Sequence, residues 1–508
     1  MISKVLSCGL FGIDGYIVEV EVDVSSGIPG LDIVGLPDAT VKESRERVRA
    51  AMKNSGFSFP QRRVTVNLAP ANMKKEGAAY DLPITVAILA ATSQLNPENV
   101  CEYAFAGELS LDGRIRPVRG LLPMAITAAK NGVKKFIVSE ANATEISVVG
   151  GMEVFPAATL EQVFRHLRGE EKIQKLCADT KEIFQGSRSY DVDFSDVKGQ
   201  QDIKRAIEVA VAGGHNIIMI GSPGTGKSML AKRIPSILPG LSFEEALEVT
   251  KIHSIAGTLK AGESLVTVRP FRSPHHTVSA NSLAGGGASP KPGELSLAHH
   301  GVLFMDELPE FKRDALEVMR QPLEDKSVTI SRVNATLTYP CNTLFVASMN
   351  PCKCGYYGDE RHICTCNPAQ IKQYRSRISG PLMDRIDIHA EVSSIDYKEL
   401  SGDDIGESSS AIKQRIERVR AIQLERYKNY GIFTNSQLTA PLMKKFCTLD
   451  RESKDILKAA FDSMGLSARA HDRILKVART IADLEHSKKI DVSHISEAIQ
   501  YRSLDRSL

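Results

Sequence analysis

The sequence predicts an α/β protein of several domains around a central parallel sheet, and two kinds of observation carry that expectation. The first is a set of three apolar runs, the second closing on two carboxylates and the third on a polar amide: Asn216-Ile217-Ile218-Met219-Ile220, Gly301-Val302-Leu303-Phe304-Met305-Asp306-Glu307, and Thr343-Leu344-Phe345-Val346-Ala347-Ser348-Met349-Asn350-Pro351. Short continuous apolar runs of this kind suit strands covered on both faces. The second is the contrast at the two ends of the chain. Residues 1–168 alternate strand-like and helical patterns, which predicts a separate α+β domain, whereas from Ala411 onward helical spacing continues without strand signals, which predicts a helical C-terminal lid.

The first run passes directly into Gly221-Ser222-Pro223-Gly224-Thr225-Gly226-Lys227-Ser228, a full match to G-x-x-x-x-G-K-[ST], followed by the helix-forming Met229-Leu230-Ala231-Lys232-Arg233. In that strand-to-helix context the glycines let backbone N–H groups wrap a phosphate, and the helix adds the positive end of its dipole. The expected ligand is ATP, with Lys227 reaching the β- and γ-phosphates and the Ser228 hydroxyl ligating Mg²⁺.

The second run ends in two carboxylates, as a Walker B strand does. Asp306 would hold Mg²⁺ through its hydration shell and Glu307 would polarise the attacking water; the plainer alternative is an acidic strand end or helix N-terminus. Asn350, at the tip of the third run, would help Glu307 orient that water. Two arginines follow. Arg385, in Asp384-Arg385-Ile386-Asp387, is expected on a loop or helix end from which it could project outward, and Arg469, in Ser467-Ala468-Arg469, opens a helix. A guanidinium delivered by a neighbouring subunit is the usual way a ring ATPase stabilises charge on the transferring phosphoryl group.

These elements, with Pro274-His275-His276-Thr277-Val278-Ser279, the stretch from Lys291-Pro292-Gly293-Glu294 to His299-His300, Ser348-Met349-Asn350-Pro351-Cys352 and Leu466-Ser467-Ala468-Arg469, resemble the YifB/ComM family of magnesium-chelatase-like AAA+ proteins nearly end to end. The resemblance implies Asn350 as sensor 1, Arg385 as a finger acting in trans, Arg469 as sensor 2, and a homo-oligomeric, six-membered ring. It also implies two insertions, one between the Walker strands and one β-hairpin before sensor 1. The hairpin falls at residues 327–338, where apolar and polar residues alternate about a Val333-Asn334-Ala335 bend and place Arg332 beside it.

Boundaries follow from composition. A polar linker is expected over 169–191, an ATPase core over 192–395 and the lid over 396–508, with a Gly-Asp-Ser-rich break at Ser401 to Ser410. The 508 residues exceed one ordinary core, and a net charge of +3 neither argues for nor excludes a nucleic-acid partner. Without an apolar run of eighteen residues or a signal-peptide core, the expected location is cytoplasmic, with no membrane partner.

The N-terminal domain resembles the ribosomal-S5-like fold of Lon-type protease domains. Lys75-Glu76-Gly77-Ala78-Ala79-Tyr80-Asp81 corresponds to the nucleophile loop, with Ala79 at the serine, and Gly120-Leu121-Leu122-Pro123-Met124 to the base region, with Met124 at the lysine. Neither side chain performs a Ser-Lys reaction, so the domain is expected to bind or assemble and not to cleave.

Of nine cysteines, four form two C-x-C pairs, Cys352 with Cys354 and Cys364 with Cys366. Such clustering favours tetrahedral Zn²⁺, with His362 as a substitute ligand and free thiols as the alternative. Cys8, Cys101, Cys177, Cys341 and Cys447 are scattered and read as ordinary thiols. The His275-His276 and His299-His300 pairs are assigned to an inserted helix and its packing in preference to a metal.

The resemblance implies that this ATPase moves DNA through a ring pore, with Arg332 on phosphates, in branch migration during recombination and natural transformation. A magnesium-chelatase motor subunit and a protein-remodelling ATPase are the competing expectations.

Overall fold

The computed structural model describes residues 2–176, 190–260, 262–287, 290–332, 335–394 and 406–502. Cys177, most of the expected linker, the Val333-Asn334 part of the hairpin bend and residues 401–405 of the Gly-Asp-Ser-rich break lie outside them. Contacts divide the chain into two compact units, Met1–Arg188 with Ser242–Thr267, and Ser189–Leu241 with Val268–Leu508.

The first unit is built on β1 (Ile2–Phe11), β2 (Asp14–Ser25), β3 (Gly30–Val34), β4 (Arg63–Ala69) and β5 (Tyr103–Ala106), a short ribbon of β6 (Glu108–Leu109) and β7 (Ile115–Arg116), then β8 (Lys135–Ser139) and β9 (Glu153–Ala157). Seven of these form one sheet in the order β3-β4-β2-β1-β5-β8-β9. It is mixed: β1 to β2 and β2 to β4 run antiparallel, and the remaining neighbours are parallel. The alternation Val18, Val20, Val22 against Glu19, Glu21, Asp23 turns one face of β2 inward and the other toward solvent. The helix Asp81–Ala91 is apolar on every side, and all eleven of its residues are buried. The segment Ser242–Thr267 belongs to this unit although it falls in the 192–395 span. Its helix Phe243–Ala256 opens on a Ser242/Glu245 capping box, and its Ser254 hydroxyl donates to buried Glu145.

The second unit holds β10 (Ile217–Ile220), β11 (Phe271–Arg272), a ribbon of β12 (Gly285–Gly286) and β13 (Lys291–Pro292), β14 (Val302–Met305), a hairpin of β15 (Ser327–Arg332) and β16 (Ala335–Pro340), β17 (Leu344–Met349) and β18 (Ile388–Glu391). Five strands form an all-parallel sheet in the order β11-β14-β17-β10-β18. Every residue of β10, β14 and β17 is buried, as strands covered on both faces require. The helices Gln201–Gly213 and Lys227–Ile237 share a core with Ser409–Tyr427, Arg451–Met464, Ala468–Leu484 and Val492–Gln500. Buried charges in this helical part are paired: Arg426 meets Asp483 in a two-pronged contact of 2.6 and 2.7 Å.

Candidate functional site

Register brings the tips of three central strands to one edge of the parallel sheet. Ile220 pairs with Met349 and Met305 with Ala347, so Gly221, Asp306 and Asn350 emerge together at the carboxyl ends, where open α/β sheets bind ligands. Gly224 (φ +81°) and Gly226 (φ +87°) turn the chain through left-handed backbone that a side chain would strain, and Gly226 delivers it into the helix Lys227–Ile237.

Lys227 is buried, and its Nζ donates to the Gly221 and Ser222 carbonyls at 2.7 and 2.8 Å and to Asn350 Oδ1 at 3.3 Å. Burial pushes its pKa down, against the opposing charges of Asp306 and Glu307. Ser228 Oγ donates to Asp306 Oδ2 at 2.6 Å, while the Ser348 hydroxyl donates to the other carboxylate oxygen. The same Ser348 oxygen accepts the Glu307 N–H at 3.3 Å. Serine and carboxylate thus present oxygen donors side by side, the set a hard divalent cation such as Mg²⁺ takes.

Glu307 sits at φ +54°, a rare position for a residue with a side chain, and its carboxylate is 57% exposed at the strand tip. His276 Nδ1 lies 3.8 Å from Glu307 Oε2. Sequence reasoning had placed both His pairs on an inserted helix. Instead His275 and His276 occupy the loop after β11, and His299 and His300 follow the short helix Glu294–Leu297, where His299 Nδ1 accepts the Asn342 N–H at 3.0 Å. Ser348 was also missed; a hydroxyl in an apolar strand next to a functional tip is the signal that would have found it.

The four clustered cysteines follow directly on this edge. Their sulfurs all lie within 4.8 Å of one another, and three of the separations are 3.3, 3.6 and 3.7 Å. Tetrahedral ligands at about 2.3 Å from a zinc ion stand about 3.8 Å apart, so the set fits that metal. The Tyr356 N–H, ahead of opposing burial, holds the Cys354 thiol down to about 5. His362 is outside the cluster: its ring is 59% exposed and Nδ1 is 3.2 Å from Asp359 Oδ1.

The arginines are placed differently from one another. Arg469 is exposed at the second position of the helix Ala468–Leu484. Arg385 does not project outward as the sequence reading had it. Its side chain is 11% exposed and turns back to the Glu324 carboxylate and, at 2.8 Å, the Pro381 carbonyl, two acceptors on its own unit that match the guanidinium fork.

Family models and full-length relatives match along the chain. The family model described as magnesium chelatase, subunit ChlI, matches residues 193–400; subunit ChlI of Mg-chelatase matches 20–142 and the ChlI C-terminal model matches 406–502. A protein of Escherichia coli named YifB is 44% identical over 98% of this chain and 96% of its own length. The competence protein ComM of Haemophilus influenzae is 41% identical over 99% of this chain and 98% of its own. The chain belongs to the YifB/ComM family of magnesium-chelatase-like AAA+ ATPases.

As a YifB/ComM-family protein it is an ATPase motor that uses ATP and Mg²⁺. A Lon protease of Lachnoclostridium phytofermentans is 25% identical over 31% of the chain and 21% of its own length. In the N-terminal unit of this family member Ala79 and Met124 are both buried, and the Ala79 carbonyl accepts the Gly107 N–H at 3.0 Å. Among the described residues no helix is long and apolar enough to cross a membrane.

The hairpin of β15 and β16 pairs Ser327 with Pro340 through Arg332 with Ala335. Arg332 is exposed at its outer end, and its guanidinium leaves only 3.2 Å to a Cβ built at Gly286. Gly286 pairs with exposed Lys291 across β12 and β13. Two basic residues from two separate β-ribbons therefore meet at one glycine, a neighbourhood that only the folded chain reveals.

Proposed function

We propose that this protein is a ring-forming motor on DNA, a hexameric branch-migration helicase of recombination and natural transformation working in the cytoplasm. The carrying observation is the basic pair Arg332 and Lys291 around Gly286, at the end of a two-stranded hairpin. Basic side chains on hairpin tips suit phosphate contacts that track a strand without reading its sequence. The name of the Haemophilus influenzae relative, a competence protein, supports the same reading.

Within that reading Gly221 to Ser228 cradle the nucleotide, Ser228 and Asp306 hold Mg²⁺, Glu307 activates water and Asn350 orients it. Arg385 acts across the subunit interface and Arg469 acts on the subunit's own nucleotide. Cys352, Cys354, Cys364 and Cys366 hold a structural zinc. The N-terminal domain (1–168) is non-proteolytic, joined by a linker (169–191) to the core (192–395) and lid (396–508), because Ala79 and Met124 offer neither nucleophile nor base.

The test is the ATPase rate with and without single-stranded, duplex and four-way-junction DNA, over a range of salt. DNA should stimulate the wild type steeply at low salt, and Arg332→Ala should lose the stimulation while keeping basal hydrolysis. Indifference to every DNA form, with a rise on adding unfolded protein or a porphyrin-binding partner, would replace this reading by a remodeller or a chelatase motor.

A further inference from the structure

The cysteine cluster lies against the nucleotide loop. Cys352 comes two residues after Asn350, and the intervening Pro351 carbonyl accepts Arg375 Nε at 3.1 Å. From there residues 352–366 run without a helix or strand, and with little apolar burial of their own: Ile363 is 91% exposed and Tyr357 48%. A segment of this kind needs a crosslink to hold one shape. The four sulfurs supply the means, and two of its residues use the resulting shape to touch the P-loop. Gly355 packs so closely on the Pro223 ring that a Cβ there would come within 2.7 Å of Pro223 Cγ and Cδ. Asp359 accepts the Ser222 hydroxyl as well as the Arg361 and His362 N–H groups at 2.8 and 2.9 Å, and its side chain is only 6% exposed.

Ser222 is the point on which the loop's own hydrogen bonds converge. Its carbonyl accepts Thr225 Oγ1 at 2.9 Å and Lys227 Nζ at 2.8 Å. The residue that orients the phosphate-binding lysine is thus anchored through its other polar group to the segment that carries the four cysteines.

We infer that the Cys352, Cys354, Cys364, Cys366 metal site is a clamp on the nucleotide loop, so that ATP affinity depends on metal occupancy. This rests on the zinc reading given above. The four thiolates fix the loop that presents Gly355 and Asp359; those two fix Pro223 and Ser222; and a fixed Ser222 keeps Lys227 and the backbone N–H groups in the shape that cradles phosphate. Affinity is gained by preorganisation, because the loop then has less freedom to lose on binding.

The experiment is titration of full-length protein with a fluorescent ATP analogue in Mg²⁺, in three states: as purified without chelator, after zinc removal with the chelator dialysed away, and after Zn²⁺ is restored. Zinc content is read by elemental analysis and folding by circular dichroism. Removal should weaken binding on the order of tenfold, the worth of one lost charge-assisted hydrogen bond, and restoration should recover it. Asp359→Ala should weaken binding similarly while keeping its zinc, since Asp359 is not a ligand; this variant carries the test if stripped protein unfolds. Zinc-loaded Asp359→Ala protein binding ATP as tightly as wild type overturns the clamp and leaves the metal site standing. So does folded, stripped protein with undiminished affinity. Protein that contains no zinc and takes none up overturns the metal reading itself.

Discussion

Arg473 is paired with the buried carboxylate of Asp387, and the pair ties together the two arginine-bearing segments of the candidate site. Asp387 follows Arg385 by two residues, and Arg473 stands one turn beyond Arg469 on the same helix face. The second carboxylate oxygen of Asp387 accepts the N–H of Asn216, which leads into β10 and the P-loop, at 3.0 Å. One buried acid therefore links the Arg385 segment, the helix Ala468–Leu484 and the strand that leads into the nucleotide loop.

Removing Arg473 leaves that acid without its cation. Arg473→Met should destabilise the protein by roughly 3–5 kcal/mol, the usual consequence of stranding a buried charge. Urea unfolding of the variant gives the number, and Asp387→Asn added to it should recover part of the loss. An unchanged midpoint in the single variant would show that the pair contributes nothing.

The same acid gives a pH signature. Burial alone would raise its pKa, but the Arg473 charge, His215 and the Asn216 N–H override burial and hold it well below the usual carboxylate range. A group depressed in the folded state stabilises above its unfolded pKa, near about 4, and loses that contribution as pH falls below it. Asp387→Asn should therefore flatten the acid limb of stability measured from neutral pH downward. An acid limb as steep as wild type would assign the dependence to other carboxylates.

At the nucleotide, Lys227→Ala should abolish ATP binding, because it removes the ammonium held between the Gly221 and Ser222 carbonyls and Asn350. Glu307→Gln should bind ATP and fail to turn it over, since only water activation is lost. His276→Ala should lower turnover without changing affinity if the imidazole positions Glu307 across their 3.8 Å separation. Nucleotide titration and steady-state hydrolysis, measured together, separate the three outcomes; equal rates for Glu307→Gln and wild type would remove Glu307 from the reaction.

Much of this was legible in the sequence because it is local. The run ending at Ile220, the glycines and Lys227 are contiguous, and the hairpin's alternation over 327–338 reappears as strands Ser327–Arg332 and Ala335–Pro340. What the sequence hid are relations between distant segments. Ser222 and Asp359 are separated by most of the sheet, His276 reaches Glu307 from a loop before β14, and helix Phe243–Ala256 belongs to the unit of residue 145 although its neighbours in sequence, the helix Lys227–Ile237 and β11, belong to the other. Periodicity reports which face of an element is apolar and says nothing of which distant side chain meets it. Arg385 shows the same limit: its place in the chain was readable, its direction was set by Glu324.

Arg385 yields the last prediction. Its guanidinium is engaged with Glu324 and the Pro381 carbonyl of its own unit, so service to a neighbouring nucleotide requires exchanging one anion for another. Arg385→Ala should keep ATP affinity and lower hydrolysis on the order of 10³-fold, the scale of a finger acting on transition-state charge. Glu324→Gln should keep the finger and ease its release, leaving hydrolysis at or above the wild-type rate. Mixing Arg385→Ala with Lys227→Ala subunits tests the geometry, because only the first supplies working nucleotide loops and only the second supplies arginines. Rings in which both occur should regain activity that neither has alone. No recovery at any ratio, with mixed assembly verified by mass, would place Arg385 outside a neighbour's site.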